Sequence, residues 1–169
     1  MRKSWQIAGL LLVAIGCTSP RAGIASPEAD MQQRKTQAAS VSGFTVTVAL
    51  SEKARKQLIE SKETIVVAGY ITGNPKQGAL KRYVNRMGEV ELGDIKAEVA
   101  PGENATFSRI QMKQDALEQT DKKDLQILVN VFSGRKSSKD NLLDCEIHQG
   151  PLKSVQGGSV AVSCKLIGE

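Results

Sequence analysis

Few side chains in this sequence have the types and spacings that carry out catalysis. The chain has one histidine, His148, and histidine is the usual base that activates a serine or cysteine nucleophile. It begins the turn-like segment HQGP, so an exposed or turn-supporting role is the preferred interpretation. Glu89 and Glu91 are separated by one residue, and paired carboxylates can act as general acid and base. Their place on the polar side of a predicted strand instead indicates a solvated surface.

The sequence patterns of cofactor and metal sites are missing. The 169 residues contain no phosphate-binding loop, no dinucleotide fingerprint and no zinc-ligand spacing. The sequence therefore predicts no enzymatic activity, no cofactor and no metal site. A small hydrolase that uses His148 or the two glutamates is the enzymatic alternative.

The first of the three cysteines, Cys17, follows a short apolar segment. Arg2 and Lys3 give the chain a positive start, and residues 7–15 form an uninterrupted apolar run. A membrane-spanning helix needs about 20 such residues, so this shorter run is typical of a secretory signal peptide. The residues AIGC at 14–17 resemble the lipobox of bacterial lipoprotein signal peptides, with alanine where leucine is preferred.

That resemblance implies a signal peptide at residues 1–16, cleavage before Cys17, and lipid attachment to the thiol and the new amine. Two or more acyl chains anchor a protein stably. Thr18 stands where an aspartate would resemble an inner-membrane retention signal, so the expected address is the periplasmic face of the outer membrane. The alternative is an ordinary secretory signal cleaved after Gly23 or Ser26, in which Cys17 has no role.

Residues 17–42 are predicted to be the lipidated N-terminus and a flexible tether. They show no hydrophobic periodicity, and they contain Pro20, Pro27 and mixed charges. Such a composition does not bury enough apolar surface to offset ordering, and a flexible chain of this length spans on the order of 25–30 Å. A short helix over residues 28–39 is the alternative.

Composition and charge limit the partners of the chain. Apolar residues make up 40% of the sequence and aromatic residues 4%, which predicts an aliphatic core. The formal net charge is +5, and Arg2 and Lys3 of the predicted signal peptide contribute to it. The remaining excess is too mild for a dedicated nucleic-acid-binding protein, so no nucleic-acid partner is expected.

Residues 43–169 show the pattern of a folded β domain. Residues 44–50 alternate apolar and polar side chains, and residues 63–73 are apolar on both sides, as in a central strand. Between them, residues 51–62 predict a short helix capped by Ser51. Further strands are predicted at 89–92, 95–99, 105–112, 124–134, 142–149 and 159–167, with a helical turn at 113–119 and a hairpin turn at 156–159.

Seven or eight short strands at this spacing predict an antiparallel β-sandwich with one or two short helices. The apolar residues lie at even-numbered positions before Gly93 and Asp94 and at odd-numbered positions after them. A turn or bulge is needed there to keep the apolar residues on both sides facing inward. The architecture resembles immunoglobulin-like and transthyretin-like domains only loosely, without the buried tryptophan or cysteine spacing of true immunoglobulin domains.

Cys145 and Cys164 are predicted to form a disulfide. Cys145 has the same parity as Leu143 and Ile147, and Cys164 has the parity of Val162, so both should point inward from neighbouring strands. In an exported chain such a pair indicates a disulfide, which would stabilise the domain by about 3 kcal/mol. The alternative, a reactive or metal-binding pair, requires closer ligand spacing and further His or Cys residues.

Two basic segments could recognise a partner, residues 74–86 and residues 133–141. We call the second the basic loop; its cations are Arg135, Lys136 and Lys139. Loops on a rigid β scaffold commonly carry recognition, although surface solubility is the plainer interpretation of both.

These features together predict a non-catalytic binding or assembly-accessory module. It would be anchored to the outer membrane by its lipid and would bind an envelope protein or a cell-wall component. An inhibitor of a cell-wall hydrolase, with the basic loop inserted into an acidic cleft, is the alternative.

Overall fold

The computed structural model describes residues 38–169. The predicted signal peptide, the lipid-attachment residue Cys17 and most of the predicted tether lie outside the described residues. Within residues 38–169, no helix has the length and apolar character needed to cross a membrane. The elements in chain order are β1 (Ala39–Leu50), α1 (Glu52–Glu60), β2 (Ile65–Pro75), a 3₁₀ helix (Lys81–Tyr83), β3 (Val90–Val99), β4 (Ala105–Met112), α2 (Gln114–Leu117), β5 (Thr120–Ser133), β6 (Leu143–Cys145), β7 (His148–Pro151), α3 (Leu152–Val155) and β8 (Ser159–Leu166).

The eight strands of the described residues form two four-stranded sheets. The first sheet has the strand order β4-β1-β8-β6, and the second sheet has the order β3-β2-β5-β7. Neighbouring strands are antiparallel except β1 and β8, which are parallel because the chain reaches β8 from the second sheet rather than through a hairpin. The predicted all-β sandwich of seven or eight strands with short helices is confirmed.

The core lies between the two sheets and is mainly aliphatic. In β1, Val46 and Val48 are buried whereas Thr47 is exposed, because alternate residues of a strand point to opposite faces. Phe44 of β1 packs against Phe107 of β4, with 5.6 Å between the ring centroids. Buried side chains of the second sheet complete the core; they are Ile65, Val67, Ile71, Val90, Leu92, Ile127, Val129 and Val131.

Strand β3 contains the bulge that the change of parity predicts. Glu91 and Gly93 pair with consecutive residues of β2, so Leu92 has no partner of its own there. One extra residue in a strand reverses the direction of the side chains that follow it. The apolar residues on both sides of the bulge therefore face the core; they are Val90, Leu92, Ile95, Ala97 and Val99.

The single strand predicted at residues 142–149 is wrong. β6 pairs with β8 in the first sheet, whereas β7 pairs with β5 in the second sheet. The chain crosses between the sheets at Glu146 and Ile147, and this crossing interrupts the alternation of side-chain directions. Ile147 is consequently 61% exposed instead of pointing inward.

The hairpin turn predicted at residues 156–159 is also wrong. Gly157 has the positive φ of such a turn, 69°, but β7 and β8 on either side of it belong to different sheets. A two-residue turn joins neighbouring strands of one sheet, whereas this connection must pass across the sandwich. It does so through α3, whose Leu152 and Val155 are buried.

The folded domain begins before the predicted boundary at residue 43. β1 starts at Ala39, and residues 39–42 pair with β4, so these residues belong to the first sheet and not to a tether. Residues 39–42 alternate between half-buried and exposed, whereas residues 44–50 include fully buried apolar side chains. The apolar periodicity of residues 39–42 is therefore too weak to predict a strand.

Candidate functional site

The predicted disulfide is present between β6 and β8. Cys145 and Cys164 lie directly opposite each other, and their sulfur atoms are 2.06 Å apart. Cys164 is buried and Cys145 is half-buried. Bonded in this way, neither sulfur is a free nucleophile. Within residues 38–169, no group of three or more His, Cys, Asp or Glu side chains is placed to hold a metal ion.

The basic loop is closed at its base by hydrogen bonds of Asn141. The Asn141 Oδ1 accepts from the Ser133 N–H at 2.9 Å and from the Leu143 N–H at 3.1 Å. Its Nδ2 donates to the Leu143 carbonyl at 2.7 Å, and the Ser133 hydroxyl accepts from the Leu142 N–H at 2.9 Å. Since Ser133 is itself buried, the loop starts and ends at fixed positions.

A second support for the basic loop comes from the end of helix α1. The Lys62 N–H donates to the Ile59 carbonyl at 3.1 Å, and the Glu63 N–H donates to the Leu58 carbonyl at 2.8 Å. These two bonds form a Schellman motif, which requires a left-handed residue, and Lys62 has φ 54°. The motif fixes Glu63 between α1 and β2, beside the end of β5.

The Glu63 carboxylate binds the backbone of the basic loop. The Lys136 N–H donates to both carboxylate oxygens at 3.0 Å, and the Ser137 N–H donates to Oε2 at 2.8 Å. The Ser137 hydroxyl adds a bond of 2.7 Å, and the Thr64 N–H adds one of 3.0 Å to Oε1. Glu63 is only 2% exposed, so its charge is compensated by these donors rather than by water.

The pKa of Glu63 reflects this environment. Burial alone raises the pKa of a carboxyl, but here the hydrogen bonds from Lys136, Ser137 and Thr64 outweigh it. They lower the pKa of Glu63 from its ordinary value of 4.5 to about 2. Glu63 is therefore a permanent anion at neutral pH, and it holds the basic loop in one conformation.

The three predicted recognition cations lie together in this loop but are not equivalent. Lys136 Nζ forms an ion pair with Glu98 Oε1 at 2.9 Å, and the Thr64 hydroxyl donates to the same oxygen at 2.6 Å. The Thr64 and Lys136 contacts hold the pKa of Glu98 below its ordinary value. Arg135 and Lys139 are exposed and form no ion pair with any residue that the structure describes.

The other basic segment, residues 74–86, is held against helix α2. The Arg82 guanidinium lies 5.0 Å from the centroid of the Tyr83 ring, and the Tyr83 hydroxyl donates to Asp115 Oδ2 at 3.0 Å. The Leu80 N–H donates to Gln119 Oε1 at 3.1 Å. Part of its cationic and aromatic surface is thus used within the domain.

The structure does not bring His148 together with Glu91. His148 lies on β7 opposite Val129, whose side chain is in the core, and its Nε2 is buried without a hydrogen-bond partner among the described residues. Glu91 is exposed on the opposite face of the second sheet. The sheet therefore separates the histidine from this glutamate.

Glu89 and Glu91 instead line a cleft on the outer face of the second sheet. This sheet-face cleft has a volume of about 380 Å³. The residues that line it include Tyr70, Thr72, Asn85, Met87, Glu89, Glu91, Asp94, Lys113, Gln126, Leu128 and Gln149. The sequence analysis did not reveal the cleft, because its walls come from five separate parts of the chain.

One wall of the cleft is the turn that precedes β3. The Asn85 Oδ1 accepts from the Met87 N–H at 2.9 Å and from the Glu89 N–H at 3.0 Å. The Asn85 Nδ2 donates to Glu91 Oε1 at 3.2 Å, and Gly88 provides the positive φ, 85°. This turn fixes Met87 with 85% of its surface exposed.

Comparison of the chain with protein-family models, curated proteins and solved structures gives no match. The function is therefore inferred from the sequence and from the geometry of the described residues.

Proposed function

We propose that this protein is a non-catalytic binding module of the bacterial cell envelope. The lipid on Cys17 anchors it to the outer membrane, facing the periplasm, and the basic loop binds an acidic surface of an envelope protein or cell-wall component. The observation that carries this proposal is the buried Glu63 carboxylate, which holds the basic loop in place while Arg135 and Lys139 remain exposed.

Preorganisation is what such a loop contributes to binding. Ordering a flexible loop at an interface lowers affinity, so a loop already fixed in its bound conformation binds more tightly. Arg135 has φ 59°, a left-handed conformation that non-glycine residues avoid. The hydrogen bonds to Glu63 offset this strain, and they involve the backbone rather than the guanidinium.

Charge determines the kind of partner that fits. Arg135 and Lys139 are the cations available for intermolecular contacts, because Lys136 is paired with Glu98. Two fixed cations on an exposed loop attract carboxylate or phosphate groups. Asp140 is exposed next to them and reduces the local potential, so we expect a local contact rather than long-range attraction to any polyanion.

Inhibition of a cell-wall hydrolase is a second candidate function. The observation that favours it is the same strained and rigid loop, which presents Arg135 on a short connection between two strands. The purified protein would then inhibit a cell-wall hydrolase stoichiometrically, and Arg135→Glu would abolish the inhibition. Capture of a partner without inhibition would favour the assembly-accessory form.

The recognition proposal is tested by reversing the charge of the loop in cells. The variant Arg135→Glu/Lys139→Glu should lose the envelope crosslinks of the wild type while keeping its thermal unfolding temperature, because neither side chain supports the fold. The matched control is Lys122→Glu/Lys123→Glu, which makes the same charge change at exposed positions of β5. Identical crosslinks for the wild type and both variants would refute recognition by this loop.

The anchor is tested separately by Cys17→Ser. We expect the wild type to fractionate with membranes and to carry an acyl mass on its first residue, and the variant to lose both properties. A variant that is processed normally and still fractionates with membranes would contradict lipid attachment at Cys17.

A further inference from the structure

The sheet-face cleft forms a second binding surface, separate from the basic loop. We infer that it binds an extended segment of a protein partner in which a lysine or arginine alternates with an apolar residue. The proposal rests on the cleft volume, on apolar side chains that remain exposed at its floor and wall, and on an excess of carboxylates around them.

The floor of the cleft is apolar and accessible. Tyr70 is 47% exposed, and it lies directly opposite Leu128 of β5, which is half-buried. Met87 on the wall is 85% exposed, and a flexible thioether adapts to different ligands. Exposed apolar groups collected around one concavity mark a binding site.

The charge of the cleft defines its occupant. Three carboxylates line it, those of Glu89, Glu91 and Asp94, against the single amine of Lys113. This local excess of negative charge lies on a chain whose net charge is positive, so the cleft attracts cations. A lysine or arginine side chain fits both properties, because its alkyl stem packs on Tyr70 while its charged end reaches the carboxylates.

The size and opening of the cleft favour a peptide over a small cation. A volume of about 380 Å³ lies at the low end of ligand pockets and accommodates one or two side chains. Gln126 and Gln149 also line it, and their amide groups can hydrogen-bond a peptide backbone that runs along the open side.

The two binding surfaces are separated along β2. Glu63 and Thr64, which contact the basic loop, precede the first residue of β2, whereas Tyr70 is the sixth of its 11 residues. At about 3.3 Å per residue, the separation is roughly 20 Å. A change at one surface is therefore not expected to alter the other, and the cleft proposal can fail while the loop proposal stands.

Fluorescence anisotropy with a defined peptide tests the cleft. The probe is a short, labelled peptide of alternating lysine and leucine, titrated with the full-length protein in mild detergent. We expect Tyr70→Ala to raise Kd about tenfold and Glu91→Gln/Asp94→Asn to raise it by at least as much, with weaker binding at high salt. Asp94→Asn alone should act in the same direction, because the Asp94 side chain makes no hydrogen bond within the described residues whose loss could affect folding.

Matched variants make the result specific. Glu52→Gln/Glu60→Gln removes two exposed carboxylates on α1 and should leave Kd unchanged, as should Arg135→Glu/Lys139→Glu in the basic loop. Equal binding by the wild type and all variants would overturn the proposal. So would tighter binding of a neutral N-acetylglucosamine oligomer, which identifies a glycan site, or self-association of the protein that Tyr70→Ala abolishes, which identifies a second copy as the occupant.

Discussion

Replacing Glu63 with glutamine removes the charge that holds the basic loop while it keeps the volume of the side chain. Glu63 accepts five hydrogen bonds and is 2% exposed. The neutral amide of Glu63→Gln retains one acceptor oxygen and places an NH₂ group against backbone N–H donors. The variant should therefore be less stable, and its basic loop should exchange amide hydrogens faster at Lys136 and Ser137.

The magnitude follows from the pKa of the carboxyl. Lowering the pKa of Glu63 from 4.5 to about 2 corresponds to about 3 kcal/mol at about 1.4 kcal/mol per pKa unit. We expect about 2 kcal/mol for Glu63→Gln, because the amide oxygen of the variant keeps part of these hydrogen bonds. Because the folded state binds this proton more weakly than the unfolded chain does, the stabilisation is fully present above pH 4.5 and is lost as the pH falls towards 2.

The assay is urea unfolding of the wild type and Glu63→Gln at neutral pH and at about pH 3. The free energy of unfolding should differ by about 2 kcal/mol at neutral pH, and roughly half of the difference should be gone at the lower pH, which lies between the folded and unfolded pKa values of Glu63. Glu60→Gln is the control, since Glu60 is exposed and its pair with Lys56 spans 3.9 Å; we expect a change below about 0.5 kcal/mol. Equal stability of the wild type and Glu63→Gln at neutral pH would refute the role of this carboxylate.

Three further predictions test other parts of the fold. Cys145→Ser/Cys164→Ser should lower the free energy of unfolding by about 3 kcal/mol, and adding reductant to the wild type should reproduce the loss in a chemical unfolding curve. Lys62→Gly should raise stability by about 0.5–1 kcal/mol, because glycine adopts φ 54° without strain, whereas Lys56→Gly within α1 should lower it by about 1 kcal/mol. Ser51→Ala should lower stability by about 1 kcal/mol through loss of the helix cap; a thermal midpoint equal to that of the wild type would contradict that role.

Much of the fold could be predicted because local patterns determine it. The alternation of Val46, Thr47 and Val48 marks β1, and Ser51 marks the start of α1 through a bond to a residue three positions later. The change of parity around Leu92 predicted the bulge, because side-chain direction in a strand depends only on position. The same reasoning about side-chain direction predicted the disulfide between Cys145 and Cys164.

The remaining features depend on contacts that are distant in the sequence. Glu63 is an ordinary charged residue between a helix and a strand until it meets the backbone of Lys136, 73 residues later. The crossing at Ile147 has no local signal in the sequence. Apolar and polar residues continue to alternate through it, although the chain changes from pairing with β8 to pairing with β5. The sheet-face cleft likewise joins Tyr70 to Met87 only through the second sheet.

Site-specific photo-crosslinking in cells tests recognition by the basic loop most directly. A photoreactive amino acid replaces Asp140, an exposed residue of the basic loop, in the full-length protein, and a second protein carries it at Lys122, an exposed position of β5. We predict a discrete crosslinked species from position 140 that is absent from position 122 and disappears when Arg135→Glu is added. No adduct at position 140, or the same adduct at both positions, would contradict the proposal.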